Sequence, residues 1–437
     1  MNLTLSELLQ FVEDNDIKFI RLAFCDMFGI PKNIAVMSSH LEHALRDGIS
    51  FDASAIAGFS NVAESDLYLV PDPSTFSLLP WRPSQDCVAR VYCNVCYPDG
   101  RPFEGDGRRV LTQTVERAAQ KGFSFQVGPE CEFYLFTTDE QGAPSLIPHD
   151  RAGYFDLAPV DRGENVRRGI CLTLEEMGIR PERSHHEQGP GQNEVDFRYS
   201  SPVQAADDLM SLRAVSKAVA AQYGLFASFL PKPLSSRSGS GLHINLSLHQ
   251  NGRNLFERFS AQPDPTAASF MAGILDHIAE LSLFTNPLPS SYQRLGSFEA
   301  PCTISWSCQN RSQLIRVPAA KGADCRMEVR SPDPACNPYL ALALLLEAGM
   351  DGIERKLALS PSSDFDAYRE SQAKHLPKLP ADIRSALDLA EQSEFLRRIL
   401  PEKLYHNYLS QKSREVETYE GAADPDQWEF DRYFEWI

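Results

Sequence analysis

The stretch GPECEFYLF, Gly128–Phe136, decides how the rest of the chain is read. It reads as a buried strand, yet it carries Glu130 and Glu132 two residues apart. Side chains at that spacing share one face of a strand. Two like charges side by side on a largely buried element are costly unless a cation sits between them. The stretch therefore predicts a cation site built into a sheet.

Two further segments repeat the pattern. In GLHINLSLH, Gly241–His249, the residues His243, Asn245 and Ser247 share one face, while Leu242, Ile244 and Leu246 share the other. In CRMEVR, Cys325–Arg330, the residues Arg326, Glu328 and Arg330 alternate with Met327 and Val329. A half-exposed strand with its polar face in water has the same alternation. The combination is harder to explain that way. SHHEQGPGQNEVDF, Ser184–Phe197, adds Glu187 and Glu194 on either side of a Gly–Pro–Gly turn. A carboxylate-rich set with one imidazole suits Mg²⁺ or Mn²⁺ better than zinc. Glu130, Glu132, Glu187, Glu194 and Glu328 would roughly balance two divalent ions.

Basic residues gather nearby in an otherwise acidic chain: Arg294, Arg311, Arg316, Lys321, Arg326 and Arg330. Within that span only Glu299, Asp324 and Glu328 are acidic. Guanidiniums bind phosphate and carboxylate through two parallel hydrogen bonds. Metals beside an arginine cluster point to phosphoryl transfer from a nucleotide. The chain has no G-x-x-x-x-G-K-[ST] loop. Its Gly-rich SGSGLH, Ser238–His243, leads into a strand and not into a helix, so neither common nucleotide fingerprint is present.

The 437 residues suit two domains, one of them large. The Gly-, Pro- and charge-rich YPDGRPFEGDGRR, Tyr97–Arg109, is the linker. The reading is α+β, with a small domain over residues 1–102 and a large one over 103–437. Strands are expected at Ile17–Asp26, Pro31–Met37, Ser65–Val70 and Asp86–Val95, with a helix at Ser39–Gly48. Beyond the linker, helices are expected at Arg108–Phe123, Gly163–Gly178, Ser201–Gly224 and Asn337–Lys356. Leu359–Pro380 reads as a loop and the remainder as mostly helical. The apolar block Tyr339–Met350 is too short for a bilayer and reads as a core helix.

A net charge of −17 argues against nucleic acid or an anionic membrane surface as partner. No basic segment followed by an apolar block opens the sequence. Ten cysteines then indicate reduced thiols and a cytoplasmic protein. Cys93 and Cys96 form a C-x-x-C on a strand, where positions three apart face opposite ways, so both read as core thiols.

Eight segments in order resemble the type I glutamine synthetases. They are FDASAIAGF (Phe51–Phe59), GPECEF (Gly128–Phe133), SHHEQGPGQNEV (Ser184–Val195), FLPKP (Phe229–Pro233), GSGLHINLS (Gly239–Ser247), FEAP (Phe298–Pro301), NRSQLIRVP (Asn310–Pro318) and CRMEVRSPDPACNPYLA (Cys325–Ala341). The resemblance implies an N-terminal β-grasp domain and a catalytic domain on a curved antiparallel sheet flanked by helices. It also implies a dodecamer of two stacked hexamers, with active sites between neighbouring subunits. Two Mg²⁺ or Mn²⁺ ions per site are implied, one on Glu132, Glu187 and Glu194, the other on Glu130, His243 and Glu328. ATP would phosphorylate the γ-carboxylate of glutamate, and ammonia would displace the phosphate. Arg311, Arg316 and Arg326 match phosphate- and nucleotide-contacting positions, as Lys321 does, and Asn245 and Ser247 lie among the ATP-binding positions. Ser238, Gly239, Arg294 and Arg330 match positions for substrate carboxylate and transferred phosphate. Asp52, from a neighbouring subunit, and Glu299 match the carboxylates that handle ammonium.

The sequence also departs from the family pattern. Ser238 stands where Asn is usual, and Ala53 and Ala55 where Gly and Ser are usual. Asn61 stands where one subgroup carries a feedback-sensing Arg. An organic amine in place of ammonia is therefore a second reading of the acceptor. A catalytically silent assembly of the same fold is a third.

Overall fold

A computed structural model describes residues 4–59, 65–82, 85–369 and 375–437. Asn61 lies outside them. The first sheet comprises β1 (Ile17–Cys25), β2 (Pro31–Met37), β3 (Ile49–Asp52), β4 (Asp66–Pro71), β5 (Ser77–Leu78) and β6 (Cys87–Cys96). Its order is β2-β1-β6-β4-β3, with β5 on β6. β1 and β6 run parallel and the other pairs antiparallel. Alternate residues of the central strands, Ile20, Leu22, Ala89 and Val91, are fully buried, as period-two patterning requires. Together with helix Leu41–Asp47 this is a β-grasp arrangement.

The second sheet has ten strands: β7 (Phe123–Thr138), β8 (Pro144–Pro148), β9 (Pro181–His186), β10 (Gln192–Phe197), β11 (Leu225–Ser228), β12 (Leu242–Gln250), β13 (Arg253–Asn254), β14 (Trp306–Cys308), β15 (Ile315–Val317) and β16 (Met327–Val329). Its order is β14-β15-β16-β12-β7-β10-β9, with β8 and β11 on β7 and β13 on β12. The expected antiparallel pairing holds except at the edge, where β14 and β15 are parallel. The connection between them is too short for the usual helical crossover, and it carries Asn310–Leu314 around the edge instead.

The four expected helices of this region form, at Gly107–Gln120, Glu164–Glu176, Pro202–Gln222 and Pro338–Arg355. Asn337 caps the last by accepting from the Tyr339 and Leu340 N–H groups. Four more follow Leu379, at Ile383–Gln392, Glu394–Ile399, Glu402–Glu420 and Pro425–Tyr433. Sequence reasoning passes over three helices, Leu5–Asp14, Pro265–Thr285 and Pro289–Arg294. The second is long and apolar enough to cross a membrane, but 67% of that stretch is buried inside the protein. It lies against Pro338–Arg355 at glycines: a Cβ on Gly352 would sit 2.2 Å from the Ser269 carbonyl and 2.6 Å from the Gly273 Cα. Backbone-to-backbone packing at that distance admits no side chain. Cys93 and Cys96 are both thiols, the first buried and the second half-buried.

Candidate active site

Strand register assembles the site. β7 pairs Glu130 with His243 of β12 and with Asp196 of β10, and Glu132 with Glu194 of β10. β16 pairs Glu328 with Asn245 of β12, and with Arg316 of β15 on its other side. Directly paired residues share a sheet face, so acids, imidazole and guanidiniums from five strands stand on one side. Glu130, Glu132, Glu194, Asp196, His243 and Arg316 line a cavity of about 200 Å³, and Asn245 and Glu328 bond to its lining. Arg294, Arg311, Arg326, Arg330, Ser238, Gly239, Glu187 and Glu299 line it as well.

Two groups of donor atoms stand out. Glu130, His243 and Glu328 each offer an atom within 4.8 Å of the others. This is the expected set for one ion. His185, Glu187 and Glu194 form a second such group. It contains two of the three residues expected for the other ion. Glu132 lines the same cavity, but its carboxylate accepts from the Gly241 N–H and from Gln192 Nε2, both at 2.9 Å. His185 takes its place in the tight group, and the ring packs edge-on against Phe155.

The electrostatics fit divalent cations. Burial and the charge of Glu187 push Glu132 up to about 8. Burial and the neighbouring acids push Glu194 well above the carboxylate range. Asp196 rises to about 6 by burial and the charge of Glu130, and its buried Oδ1 has no hydrogen-bond partner among the described residues. Burial opposes ionisation of Glu130 too, but the hydrogen bond and charge of His243 hold it down at about 2. So many acids cannot all ionise at neutral pH without added positive charge. Oxygen donors with one or two imidazoles match Mg²⁺ or Mn²⁺.

Arginines flank the acids. Glu328 is 1% exposed and bonds Arg316 Nη1 at 3.0 Å and Arg330 Nη1 at 2.5 Å. Asn245 links the two halves of the site: its Nδ2 donates to Glu130 at 3.0 Å, and its Oδ1 accepts from Arg326 Nε at 2.7 Å. Arg294 is spread over the carbonyls of Arg330, Ser331 and Pro332. The Glu299 carbonyl accepts from Arg330 Nη2, and Phe298 and Glu299 both have left-handed backbones, a strain that functional loops commonly hold.

Five expected residues do not line this cavity: Asn245 and Glu328 bond to residues that do, and three others lie apart. Lys321 is exposed beside a short 3-10 turn, Gly322–Asp324. Ser247 is buried on β12, its hydroxyl 3.1 Å from His249 Nε2. Asp52 is exposed on β3 of the small domain, where its carboxylate accepts from the Ser54 N–H and hydroxyl. Conversely, His185, Arg183 and Asp196 line the cavity although sequence reasoning does not select them. SHHEQ and NEVDF display all but Arg183, and their alternation with Glu194 is the signal.

The sequence model of the glutamine synthetase beta-grasp domain matches residues 16–98, and that of the catalytic domain residues 104–433. The chain belongs to the glutamine synthetase family. Glutamine synthetases of Clostridium saccharobutylicum and Methanosarcina mazei are each 44% identical to it, covering 98% of this chain and 98% and 97% of their own. That of Thermus thermophilus is also 44% identical, covering 99% of both chains. Among solved structures, GmaS in complex with ADP superposes with a TM-score of 0.87 at 30% identity, covering 98% of this chain and 99% of that one. GmaS without ligand gives the same values. The protein is thus a ligase of the glutamine synthetase family, which uses ATP and divalent metal ions.

Proposed function

We propose that the protein makes glutamine from glutamate and ammonia, with ATP converted to ADP and phosphate through γ-glutamyl phosphate. The observation that carries this reading is the convergence of two donor groups and an arginine cluster on one cavity. Near-complete alignment with glutamine synthetases at 44% identity supports it.

In this reading Glu130, His243 and Glu328 hold one divalent ion, and Glu132, Glu187 and Glu194 the other, with His185 beside the second. Bound ions would lower the repulsion between the glutamate carboxylate and the polyphosphate. Arg311, Arg316 and Arg326 bind the phosphates, and Asn245 fixes Arg326 against Glu130. Arg294, Arg330, Ser238 and Gly239 orient glutamate and the transferred group. Glu299 handles ammonium together with Asp52, and the loop that carries it excludes water from the acyl phosphate. Asp52 of a neighbouring copy takes the ammonium proton, so an oligomer completes the site. Its exposure at the far end of β3, outside the cavity of its own chain, supports action in trans.

A second reading, an organic amine as acceptor, is favoured by Ser238 and by the likeness to GmaS. The deciding experiment is ATP-dependent phosphate release with glutamate crossed against ammonium, methylamine, ethanolamine and polyamines. Highest catalytic efficiency with ammonium is expected; higher efficiency with any amine replaces the first reading with the second.

A further inference from the structure

Lys232 is 7% exposed, yet among the described residues no carboxylate pairs with it. Its Nζ donates to the Arg237 carbonyl and lies 4.6 Å from the centroid of the Phe298 ring. Burial and the nearby Arg294 guanidinium both lower its pKa, so a positive charge is kept there at a cost. An aromatic face within about 6 Å attracts such a cation, and more strongly where water is excluded.

Phe298 opens the turn that carries Glu299. Both residues have positive φ, +48° and +63°, and the Ala300 N–H donates to the Ser297 carbonyl at 2.9 Å. Positive φ at both central positions is the pattern of a type I′ turn, which favours Asn and Gly there. Phe and Glu in those places are strained, and such strain persists only where the surroundings over-determine the backbone. Two contacts from outside the turn do this. Arg330 Nη2 donates to the Glu299 carbonyl at 3.1 Å, and Lys232 meets the Phe298 ring. That ring is 51% exposed, so little other packing restrains it.

We propose that Lys232 is a positioning residue: anchored on the Arg237 carbonyl, its ammonium grips the Phe298 ring and so fixes the turn that presents Glu299 to the cavity. This rests on the work that the proposed function gives to Glu299 and its loop. Arg237 directly precedes Ser238 and Gly239, which line the same cavity. The lysine therefore ties the wall assigned to glutamate to the loop that closes over it.

Hydrogen exchange of the peptide spanning Gly296–Ala300, followed by mass spectrometry without substrates, tests the contact whether or not the protein makes glutamine. Exchange should be at least tenfold faster in Lys232→Met and in Phe298→Leu, and unchanged in Phe298→Tyr, which keeps the aromatic face. The double variant should exchange no faster than either single one. Wild-type exchange in Lys232→Met, equal exchange in the Leu and Tyr variants, or additive effects would overturn the assignment. Phe298 is half exposed, so its variants decide the matter if Lys232→Met fails to fold. During turnover a loosened loop admits water to the acyl phosphate, which returns glutamate and releases phosphate without forming glutamine. Phosphate released per glutamine formed should rise at least twofold in Lys232→Met and Phe298→Leu; an unchanged ratio in both would overturn the positioning role. A wild-type enzyme that makes no glutamine would defeat the proposed function and leave the exchange result standing.

Discussion

Glu130 and His243 face each other across β7 and β12, with the carboxylate Oε2 3.4 Å from the imidazole Nδ1. His243 Nδ1 is also 3.7 Å from Glu328 Oε1. Three adjacent strands thereby hold one donor each around a common point, an arrangement that lets a side chain be removed without dismantling the sheet.

Glu130→Gln keeps the shape and the hydrogen-bonding capacity of that position but removes its charge. ATP-dependent turnover should fall by at least about 100-fold, with the thermal midpoint little changed. Steady-state kinetics and a melting curve on the same preparation check both halves.

Glu328→Ala behaves differently. Glu328 is buried between Arg316 and Arg330. Its removal leaves two guanidiniums without a counter-charge, which costs about 3–5 kcal/mol for a broken buried pair. Chemical denaturation should reveal that loss even in metal-free protein. Lost activity in this variant alone is therefore weak support for a metal-binding role.

Asp52→Ala should raise the KM for ammonium while leaving ATP binding intact. Mixing Asp52→Ala chains with Glu130→Gln chains, after dissociation and reassembly, should restore measurable turnover, because some sites then combine an intact carboxylate set with an intact Asp52. No recovery would mean that Asp52 acts within its own chain or not at all.

Glu429 supplies a pH signature away from the cavity. Both of its oxygens accept from the Ser290 N–H, at 3.0 Å, at the start of helix Pro289–Arg294. Burial raises its pKa from 4.5 to about 7. The folded state then binds the extra proton between those values. This contribution is complete below pH 4.5 and disappears as pH rises to about 7, a change of about 3 kcal/mol. Replacing Glu429 by Gln should flatten that part of the stability–pH curve, measured by denaturant titration.

Gly352→Val should destabilise by about 1–3 kcal/mol or more, since its side chain would strike the Ser269 carbonyl and the Gly273 backbone. Gly100, where a Cβ would meet nothing within 4 Å, offers the contrast, limited to its left-handed backbone.

How much the sequence discloses follows from what each signal encodes. Alternation in Leu242–Leu248 names the polar face of β12, because strand geometry fixes side-chain direction. It does not say how far along that face the cavity extends, so Ser247 groups with His243 and Asn245 until the structure separates them. Register brings Glu132 opposite Glu194, but the rotamer that turns Glu132 toward Gly241 depends on a distant backbone amide. His185 is visible in SHHEQ, yet two adjacent histidines point to opposite faces, and only pairing with Glu194 selects the first. Helix Pro265–Thr285 escapes sequence reasoning because it is apolar along most of its length, with only Asp276, His277 and Glu280 ionisable, too few to give it a period. Its start is nonetheless marked by Asp264 as cap and Pro265 in the first turn.

The pairing of Glu328 with Arg316 and Arg330 has a practical corollary. Internal counter-ions already neutralise the most deeply enclosed acid beside the cavity, so the chain should fold and keep without scavenging scarce divalent ions from its surroundings. Preparation in chelator should yield properly shaped protein whose dormancy is reversible.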